Sequence, residues 1–265
     1  MSPLEAEILL RHLTGISREE FLAHPDLNVS DVHVANFRKL CTTRASGIPI
    51  AYLTHHKEFF ALDFYVDERV LIPRPETELL VEEVIGFVKK DGQIFRSVIC
   101  DVGTGSGCIA VALAKNLPSA GVLAVDISTQ ALEVAKKNAK IHEVDDRIEF
   151  IESDLISAVS NRKIDILVAN LPYIGRSENH LIEKDVLENE PELALLGGET
   201  GTELYGKLFA QIAEMSQKPK CLLAEMGFLQ QPAICALIKK HFGDIEIIWK
   251  NDLAGLPRIF ILKFS

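Results

Sequence analysis

The sequence contains few cysteines and histidines, and neither residue type forms a recognisable cluster. Five of the 265 residues are cysteine, an odd number without CxxC spacing, and the eight histidines show no metal-ligand spacing. Disulfide-stapled secreted proteins use even sets of cysteines, and zinc sites use closely spaced Cys and His pairs. We therefore expect no disulfide framework and no metal site, in a protein of a reducing compartment.

A long apolar run is also missing, although apolar residues make up 48% of the chain. A membrane-spanning helix needs about 20 consecutive apolar residues, and no stretch reaches that length. The first ten residues, MSPLEAEILL, lack the basic stretch and apolar core that mark a signal peptide. We expect a cytoplasmic protein with no membrane partner.

The chain is short of positive charge. Lysine and arginine number 28 against 38 aspartates and glutamates, which gives a net charge of −10. Proteins that grip a phosphate backbone usually carry a basic surface. The balance disfavours direct nucleic-acid binding, although a local basic patch is compatible with an acidic total.

Three segments follow from the distribution of apolar residues. Residues 1–55 carry short helical patterns, one of which starts with a capping box in which Ser17 precedes Glu20 by three positions. Residues 56–75 are rich in aromatic and β-branched residues and predict one or two strands. A helix begins at residue 76 after two prolines. We predict a small helical domain (1–55), a β-rich linker (56–75) and a large domain (76–265).

From residue 97 onward, strand-like and helix-like patterns alternate. The apolar runs that predict strands include SVICDV, GVLAVDI, RIEFIESD, IDILVAN and KCLLAEM. Such alternation predicts an α/β fold with a mostly parallel sheet that is covered on both faces. The last two strand patterns, IEIIWKN and RIFILKF, are separated by a short turn. They predict a hairpin, and hence one antiparallel edge strand.

A glycine-rich turn ends the first of these strands and opens the following helix. The stretch DVGTGSG (residues 101–107) has GxGxG spacing, which differs from the GxGxxG of dinucleotide sites, and no GK[ST] follows it. Ligands bind at the carboxyl ends of parallel strands, and glycine lets the backbone approach them closely. The turn alone is weak evidence, since any strand-to-helix turn can use glycine.

Two acidic residues at later strand ends strengthen the prediction of a ligand site. Asp126 ends the second strand and could accept hydrogen bonds from ribose hydroxyls, or simply cap the next helix. Asp154 ends the third strand and could contact an adenine amino group, or likewise serve as a cap. Together with the GxGxG spacing, they indicate a nucleoside ligand without a diphosphate. S-adenosylmethionine fits this description, with NAD as the weaker alternative.

The fourth strand ends in Asn170-Leu171-Pro172-Tyr173, at the sheet edge that faces the nucleoside. The Asn170 side-chain oxygen and the Leu171 carbonyl could each accept one N–H of a planar –NH₂ group, which is a poor nucleophile. Pro172 fixes the turn, and Tyr173 offers an apolar platform. The alternative is a turn that merely stops a strand. The acidic stretch at residues 178–192 is either a solvated surface or a lip over this site.

With these motifs the sequence resembles the protein-(glutamine-N5) methyltransferases of the HemK/PrmC type, which modify peptide chain release factors. The resemblance covers most of the chain, and its most specific parts are IPRPETE (residues 72–78) and DLAGLPR (residues 252–258). The other matching stretches are DVGTGSGCIAVALA (101–114), VDIS (125–128), NLPYI (170–174), NEPELALLGGETGTELY (189–205) and EMG (225–227).

The resemblance implies a Rossmann-like class I methyltransferase domain with S-adenosylmethionine as cofactor, and a helical domain that engages the release factor. It implies methylation of the side-chain amide nitrogen of glutamine in a Gly-Gly-Gln motif. The catalytic residues would be Asn170, Pro172 and Tyr173, and substrate contacts would fall on Asn170, Leu171, Pro172 and Tyr173. Cofactor contacts are expected at Gly103, Thr104, Gly105, Ser106, Gly107, Asp126, Asp154, Leu155 and Asn170.

Two positions depart from the family's usual pattern. Leu171 stands where a proline is usual, and Asn189 where an aromatic residue is usual. NLPY also occurs in the rRNA adenine dimethylase type, so an adenine-N6 methyltransferase acting on RNA or DNA is the alternative function. A third hypothesis is an inactive module that only docks on a translation factor. The acidic charge and the IPRPETE stretch oppose the second hypothesis, and the glycine-rich turn with Asn170 opposes the third.

Overall fold

The chain begins with a group of short helices. The computed structural model describes residues 1–24, 26, 28–90, 97–177 and 184–264. The first helices are α1 (Pro3–Thr14), α2 (Arg18–Ala23), α3 (Asp31–Ala45) and α4 (Ile50–Thr54). The predicted capping box of α2 is confirmed, because the Ser17 hydroxyl accepts the Glu20 N–H and the Glu20 carboxylate accepts the Ser17 N–H. Helices therefore form where the sequence patterns predicted them in the described part of this segment.

A small hairpin follows the helices. Its strands, β1 (Lys57–Phe59) and β2 (Leu62–Phe64), pair antiparallel and form a two-stranded sheet of their own. The rings of Phe59 and Phe64 meet edge to face with centroids 6.0 Å apart, and both are buried in the core of the large domain. The aromatic residues that predicted strands here thus anchor the linker to that domain.

A seven-stranded sheet forms the centre of the large domain. Its strands are β3 (Val98–Val102), β4 (Gly121–Asp126), β5 (Ile148–Glu152), β6 (Ile166–Ala169), β9 (Cys221–Glu225), β10 (Ile247–Asn251) and β11 (Pro257–Lys263). Their order across the sheet is β10-β11-β9-β6-β3-β4-β5. The single antiparallel strand is β11, which pairs with both β9 and β10. The predicted mostly parallel sheet and its terminal hairpin are confirmed, and the hairpin folds back so that β11 lies one position in from the edge.

Short elements follow β6 at the carboxyl edge of the sheet. They are β7 (Ile174–Gly175), α8 (Lys184–Asn189), α9 (Glu192–Leu195) and β8 (Leu196–Gly198), with β7 and β8 paired in parallel. Residues 178–183 of the acidic stretch lie outside the described residues. The remainder of that stretch forms α8 and the start of α9.

Helices cover both faces of the sheet. They are α5 (Glu76–Lys90), α6 (Cys108–Asn116), α7 (Thr129–Ile141), α10 (Glu203–Glu214) and α11 (Gln231–Phe242). Alternate strand residues serve different cores, since Ile99 packs with α5 and α6 whereas Val102 packs with α10 and α11. Helix α10 is absent from the sequence-based prediction. None of the helices in the described ranges is long and apolar enough to span a membrane.

Candidate active site

Two cavities lie side by side at the carboxyl edge of the sheet. The smaller has a volume of about 400 Å³ and the larger about 600 Å³. Residues of both sequence motifs line them, as the parallel topology requires. Five residues line both cavities and form what we call the shared wall: Leu71, Asn170, Leu171, Pro172 and Ala194. The NLPY turn (residues 170–173) therefore separates the two spaces instead of simply ending β6.

The glycine loop (residues 103–107) meets the larger cavity through only part of its length. Gly103 and Gly105 line this cavity. Thr104 and Ser106 are buried behind it, with the Thr104 hydroxyl donating to Asp101 at 2.6 Å. Gly107 faces α7, where an added Cβ would lie 2.9 Å from the Ala135 Cβ. The structure thus brings two of the five loop residues to the cavity, and the other three support them.

Asp126 lies at the larger cavity, at the end of β4. Its carboxylate accepts the Gly105 N–H at 2.8 Å and the Ser128 N–H at 2.9 Å. Burial raises the pKa of Asp126, and these N–H groups oppose the change. The helix cap of α7 is Ser128, whose hydroxyl accepts the Ala131 N–H. Each Asp126 oxygen retains acceptor capacity, which suits it to bind ligand hydroxyls.

Asp154 and Leu155 also line the larger cavity. The Asp154 carboxylate forms an ion pair with Lys207 of α10, and Gln211 of α10 donates to the Asp154 carbonyl at 3.2 Å. Leu155 has a φ of 54°, a left-handed conformation that is costly outside glycine and is concentrated at functional sites. Helix α10 therefore supports this side of the cavity, a role that strand-end reasoning did not reveal.

The side chains of Asn170 and Tyr173 belong to a series of buried hydrogen bonds that also includes Thr77 and Glu225, and we call these four residues the row. The Asn170 Nδ2 donates to the Thr77 hydroxyl at 2.9 Å, and that hydroxyl donates to the Glu225 Oε2 at 2.7 Å. The Tyr173 hydroxyl donates to the Glu225 Oε1 at 3.2 Å. Burial raises the pKa of the Tyr173 phenol well above its ordinary value, so it stays protonated as a donor. Thr77 and Glu225 lie within matched motifs, but no sequence pattern indicates that they meet.

The backbone of the NLPY turn is held from behind. Leu171 is buried in the same apolar core as Tyr205, whose hydroxyl donates to the Glu225 carbonyl and whose pKa is raised mainly by burial. The Gln230 side chain donates to the Tyr173 carbonyl at 2.5 Å. An added Cβ on Gly197 would lie 2.2 Å from the Pro172 oxygen, so only glycine fits there. This close approach explains one glycine of the GGETG stretch.

The IPRPETE stretch is tied to the segment after α8. Arg74 lines the smaller cavity and pairs with Glu190 at 2.6 Å, while the other Glu190 oxygen accepts the Ile72 N–H at 3.0 Å. Only 1% of the Glu190 side chain is exposed. A buried carboxylate needs such partners, so this contact fixes the position of Arg74 at the cavity.

The described part of the acidic stretch lines the smaller cavity. Val186 of α8 is among its lining residues, together with Leu195 of α9, which lies three positions beyond the stretch. Asn189, at the end of α8, donates to the Asp185 carbonyl at 2.8 Å and to the Gly47 carbonyl at 3.2 Å. These observations favour the lip interpretation over a purely solvated surface for residues 184–192.

The larger cavity suits a nucleoside cofactor. Small-molecule cavities usually enclose about 300–1,000 Å³ of mainly apolar space with a few placed polar groups. Its size falls in that range, and the carboxylates of Asp126 and Asp154 provide acceptors for hydroxyl and amino groups. Among the described residues, no group of three or more His, Cys, Asp or Glu side chains could hold a metal ion.

Comparisons with known proteins place family domains on both parts of the chain. The PrmC N-terminal domain matches residues 1–54, and the Methyltransferase small domain matches residues 76–200. A release factor glutamine methyltransferase of Rhodopirellula baltica is 38% identical, with 98% of this chain and 88% of the relative covered. The corresponding protein of Koribacter versatilis is 36% identical, with coverage of 97% and 90%. The chain is also 36% identical to a bifunctional methyltransferase of Rickettsia typhi, of which it spans 52%.

Solved structures share the fold at lower identity. The hMettl16 catalytic domain in complex with a MAT2A 3′UTR hairpin has a TM-score of 0.62 at 14% identity, covering 82% of this chain and 80% of that one. The ribosomal protein L11 methylase of Lactobacillus delbrueckii subsp. bulgaricus has a TM-score of 0.52 at 21% identity, with coverage of 76% and 84%. At these identities the likeness shows the class I methyltransferase fold alone.

Proposed function

The chain belongs to the release factor glutamine methyltransferase family, and on this premise we propose its substrate and the roles of its residues. It transfers a methyl group from S-adenosylmethionine to the side-chain amide nitrogen of the glutamine in the Gly-Gly-Gln motif of peptide chain release factors. The observation that carries this proposal is the shared wall, because Asn170, Leu171 and Pro172 face a cofactor-sized cavity and a smaller one together. A substrate in the translation machinery implies a cytoplasmic enzyme.

The smaller cavity holds the glutamine amide. Its nitrogen lone pair is delocalised, so the chain's residues must orient the amide and stabilise the charge that develops on the nitrogen. The Asn170 Oδ1 and the Leu171 carbonyl accept the two N–H bonds, which is why a leucine at position 171 does not remove an acceptor. Pro172 fixes the backbone of the turn. The Tyr173 ring lies against the planar amide, while its hydroxyl is engaged by Glu225.

The larger cavity holds the cofactor, which supplies an electrophilic methyl group on a sulfonium when bound. Gly103 and Gly105 allow close approach of the backbone, and Asp126 accepts hydrogen bonds from ribose hydroxyls. Asp154 and Leu155 contact the adenine, with Lys207 sharing the Asp154 carboxylate. The remaining loop residues, Thr104, Ser106 and Gly107, contribute to cofactor binding by maintaining the conformation of the loop. These assignments leave the wall residue Asn170 as the contact common to both ligands.

The two matched domains have different functions. Residues 1–55 engage the release factor, residues 56–75 form the linker, and residues 76–265 carry out methyl transfer. The separate matches to residues 1–54 and 76–200 support this division. The acidic net charge of −10 supports a protein substrate without direct nucleic-acid contact.

One assay separates this function from the two alternatives. The protein is incubated with S-adenosylmethionine, a purified release factor and ribosomal RNA, and methyl incorporation is located by mass spectrometry. We expect methylation of the Gly-Gly-Gln glutamine, and none on a factor in which that glutamine is alanine. Methylation of RNA alone would establish the adenine-N6 alternative, and bound cofactor without transfer to either substrate would favour the docking module.

The role of Asn170 is tested by Asn170→Ala. Loss of a preorganised acceptor at the reacting group typically lowers kcat by about 100- to 1,000-fold, and we expect a fall of this order with a folded protein. Asn251→Ala removes an exposed asparagine at the end of β10 and is the matched control. Near-normal turnover of Asn170→Ala would contradict the proposed role.

A further inference from the structure

The buried row that contains Asn170 has a defined direction. An ionised carboxylate only accepts hydrogen bonds, and a threonine hydroxyl carries a single proton. Because Thr77 gives its proton to Glu225 at 2.7 Å, it can only accept from Asn170, whose Nδ2 lies 2.9 Å away. The NH₂ group of Asn170 must therefore face Thr77, and its oxygen must face away from the row.

We propose that Thr77 and Glu225 are positioning residues for methyl transfer, which fix the orientation of the Asn170 side-chain amide so that its oxygen faces the substrate. This inference rests on the proposed function. An asparagine side chain offers an acceptor in one orientation and two donors in the other. Since the substrate's –NH₂ is itself a donor, the reversed orientation would set donors against donors at the reacting nitrogen.

The geometry of the row suits this role. Thr77 is 2% exposed and Glu225 1% exposed, so water does not compete for their hydrogen bonds. The second Glu225 oxygen accepts from Tyr173, and one carboxylate thus orients both ends of the NLPY turn. Thr77 lies on α5, Asn170 after β6 and Glu225 on β9. Three separate stretches of the chain converge on one function.

The surroundings of Glu225 determine whether it acts as an acceptor. The pKa of Glu225 is raised, mainly by burial and to a smaller extent by Glu76, while the Thr77 hydroxyl, the charge of Arg258 and the Tyr173 hydroxyl oppose the rise. Arg258 is itself held by Asp252, with the Nη2 and Oδ2 atoms 3.0 Å apart. A cation kept near a buried carboxylate favours its ionised form. The DLAGLPR stretch thereby contributes to the direction of the row.

Substitutions at Thr77 separate orientation from packing. Thr77→Val keeps the shape of the side chain and removes the hydroxyl, whereas Thr77→Ser keeps the hydroxyl. A single misdirected hydrogen bond at a reacting group corresponds to about 10- to 100-fold in rate. We expect Thr77→Val to lower kcat for glutamine methylation by this factor with little change in the KM for S-adenosylmethionine, and Thr77→Ser to restore most of it.

Glu225→Gln supplies an independent variant. Thr77 and Tyr173 donate to different oxygens of Glu225, and a glutamine replaces one of these oxygens by an NH₂ group, which cannot accept a hydrogen bond in its place. We expect kcat to fall while the Asn170 side-chain NH₂ signals in ¹⁵N NMR spectra shift, as they also should in Thr77→Val. The spectra are recorded without substrate or cofactor, and therefore report on the orientation whether or not a variant turns over.

The outcomes distinguish a failure of this inference from a failure of the proposed function. A wild-type protein that leaves the release factor unmodified would overturn the proposed function. An active wild type with equal kcat in Thr77→Val would overturn the inference, as would equal losses in Thr77→Val and Thr77→Ser. Unchanged Asn170 signals in Glu225→Gln and Thr77→Val would overturn it too, and thermal unfolding of each variant identifies those that lose the fold.

Discussion

Asp101 lies beneath the glycine loop and is completely buried. Its Oδ2 accepts the Thr104 hydroxyl at 2.6 Å and the Ala110 N–H at 3.2 Å, but its Oδ1 has no partner among the described residues. Burial raises the pKa of this carboxyl to about 7, with the hydrogen bonds opposing and the Asp126 charge reinforcing the rise. The carboxyl therefore changes charge close to neutral pH, beneath the loop whose Gly103 and Gly105 line the larger cavity.

This predicts a pH-dependent stability. The folded protein holds the Asp101 proton more tightly than the unfolded chain, whose aspartate pKa is about 3.9. Stability from this group is therefore complete at low pH and is lost as the pH rises toward about 7. Relative to Asp101→Asn, the free energy of unfolding of the wild type should fall by on the order of 3–4 kcal/mol between about pH 4 and pH 8.

Urea unfolding of both proteins across this pH range measures the difference. Both proteins share the other carboxylates. Subtracting the two free energies of unfolding at each pH therefore removes the contribution of those carboxylates. A difference that stays constant with pH would contradict the prediction. The variant also replaces the unpartnered oxygen by an NH₂ group. This change shifts the difference in free energy of unfolding by the same amount at every pH, so it does not alter how that difference varies with pH.

At the residue scale, the sequence predicts single side chains better than their partners. Asp126 and Asn170 follow from their positions after strands, because topology alone brings strand ends together. Thr77 and Glu225 lie 148 positions apart, and Lys207 belongs to a helix with no predicted role. Their contacts depend on side-chain packing in three dimensions, which spacing in one sequence does not encode.

At the scale of elements, the glycine loop depends on the packing of α6 against α7. Gly107 has a φ of 80°, and an added Cβ would lie 2.9 Å from the Ala135 Cβ and 3.0 Å from its Cα. Gly107→Ala therefore combines backbone strain with a clash, at a cost of about 1–3 kcal/mol. We expect a lower Tm and weaker S-adenosylmethionine binding, measured by thermal unfolding and titration calorimetry.

Gly86 provides the matched control. It lies inside α5 with no atom within 4 Å of an added Cβ. Alanine is favoured over glycine in a helix interior by about 1 kcal/mol, so Gly86→Ala should raise the Tm and leave cofactor binding unchanged. Similar behaviour of the two variants would mean that the loop does not depend on its contact with Ala135.

Elements with strong local patterns were predictable, and others were not. The sheet strands are apolar runs bounded by turns, and Ser17 and Ser128 mark helix starts with their hydroxyls. The strands β7 and β8 have two and three residues, too few to show a period. Helix α10 does carry a signal, because Tyr205, Leu208, Phe209 and Ile212 share one buried face. Thr202, a residue type common at helix starts, stands at its cap position, so the prediction missed α10 although the sequence indicates it.

At the scale of the whole molecule, polar contacts join the N-terminal helices to the segment over the smaller cavity. Arg44 of α3 pairs with Glu5 at 2.9 Å and with Asp185 of α8 at 3.0 Å. Asn189 adds its hydrogen bond to Gly47, 3.2 Å long. The departure from the family's usual aromatic residue at position 189 therefore places a polar contact between the two parts. The helices that engage the substrate in our proposal are thereby positioned relative to the cavity.

Arg44→Ala should affect large and small substrates differently. A partly exposed ion pair is worth up to about 1 kcal/mol, or roughly fivefold in a rate or binding constant. We expect kcat/KM for an intact release factor to fall by about this factor, whereas a short Gly-Gly-Gln peptide, which does not need the helices, should be methylated at the wild-type rate.

Arg162→Ala is the control, because it removes the exposed pair with Glu149 of β5 at 2.6 Å, which involves none of the N-terminal helices. An equal loss with factor and peptide in Arg44→Ala would show that the contact supports the cavity itself instead of the placement of the helices.

The shared wall has a consequence for inhibition. Two ligands separated by a single turn of backbone can be joined by a short tether, and the second then binds as part of the same molecule. A compound that links an adenosyl group to a glutamine-like amide would occupy both cavities. It would lose translational and rotational freedom once, whereas two separate ligands lose it twice. Such a bisubstrate compound would pass directly over Asn170, and it would select enzymes in which both spaces open onto the same side chain.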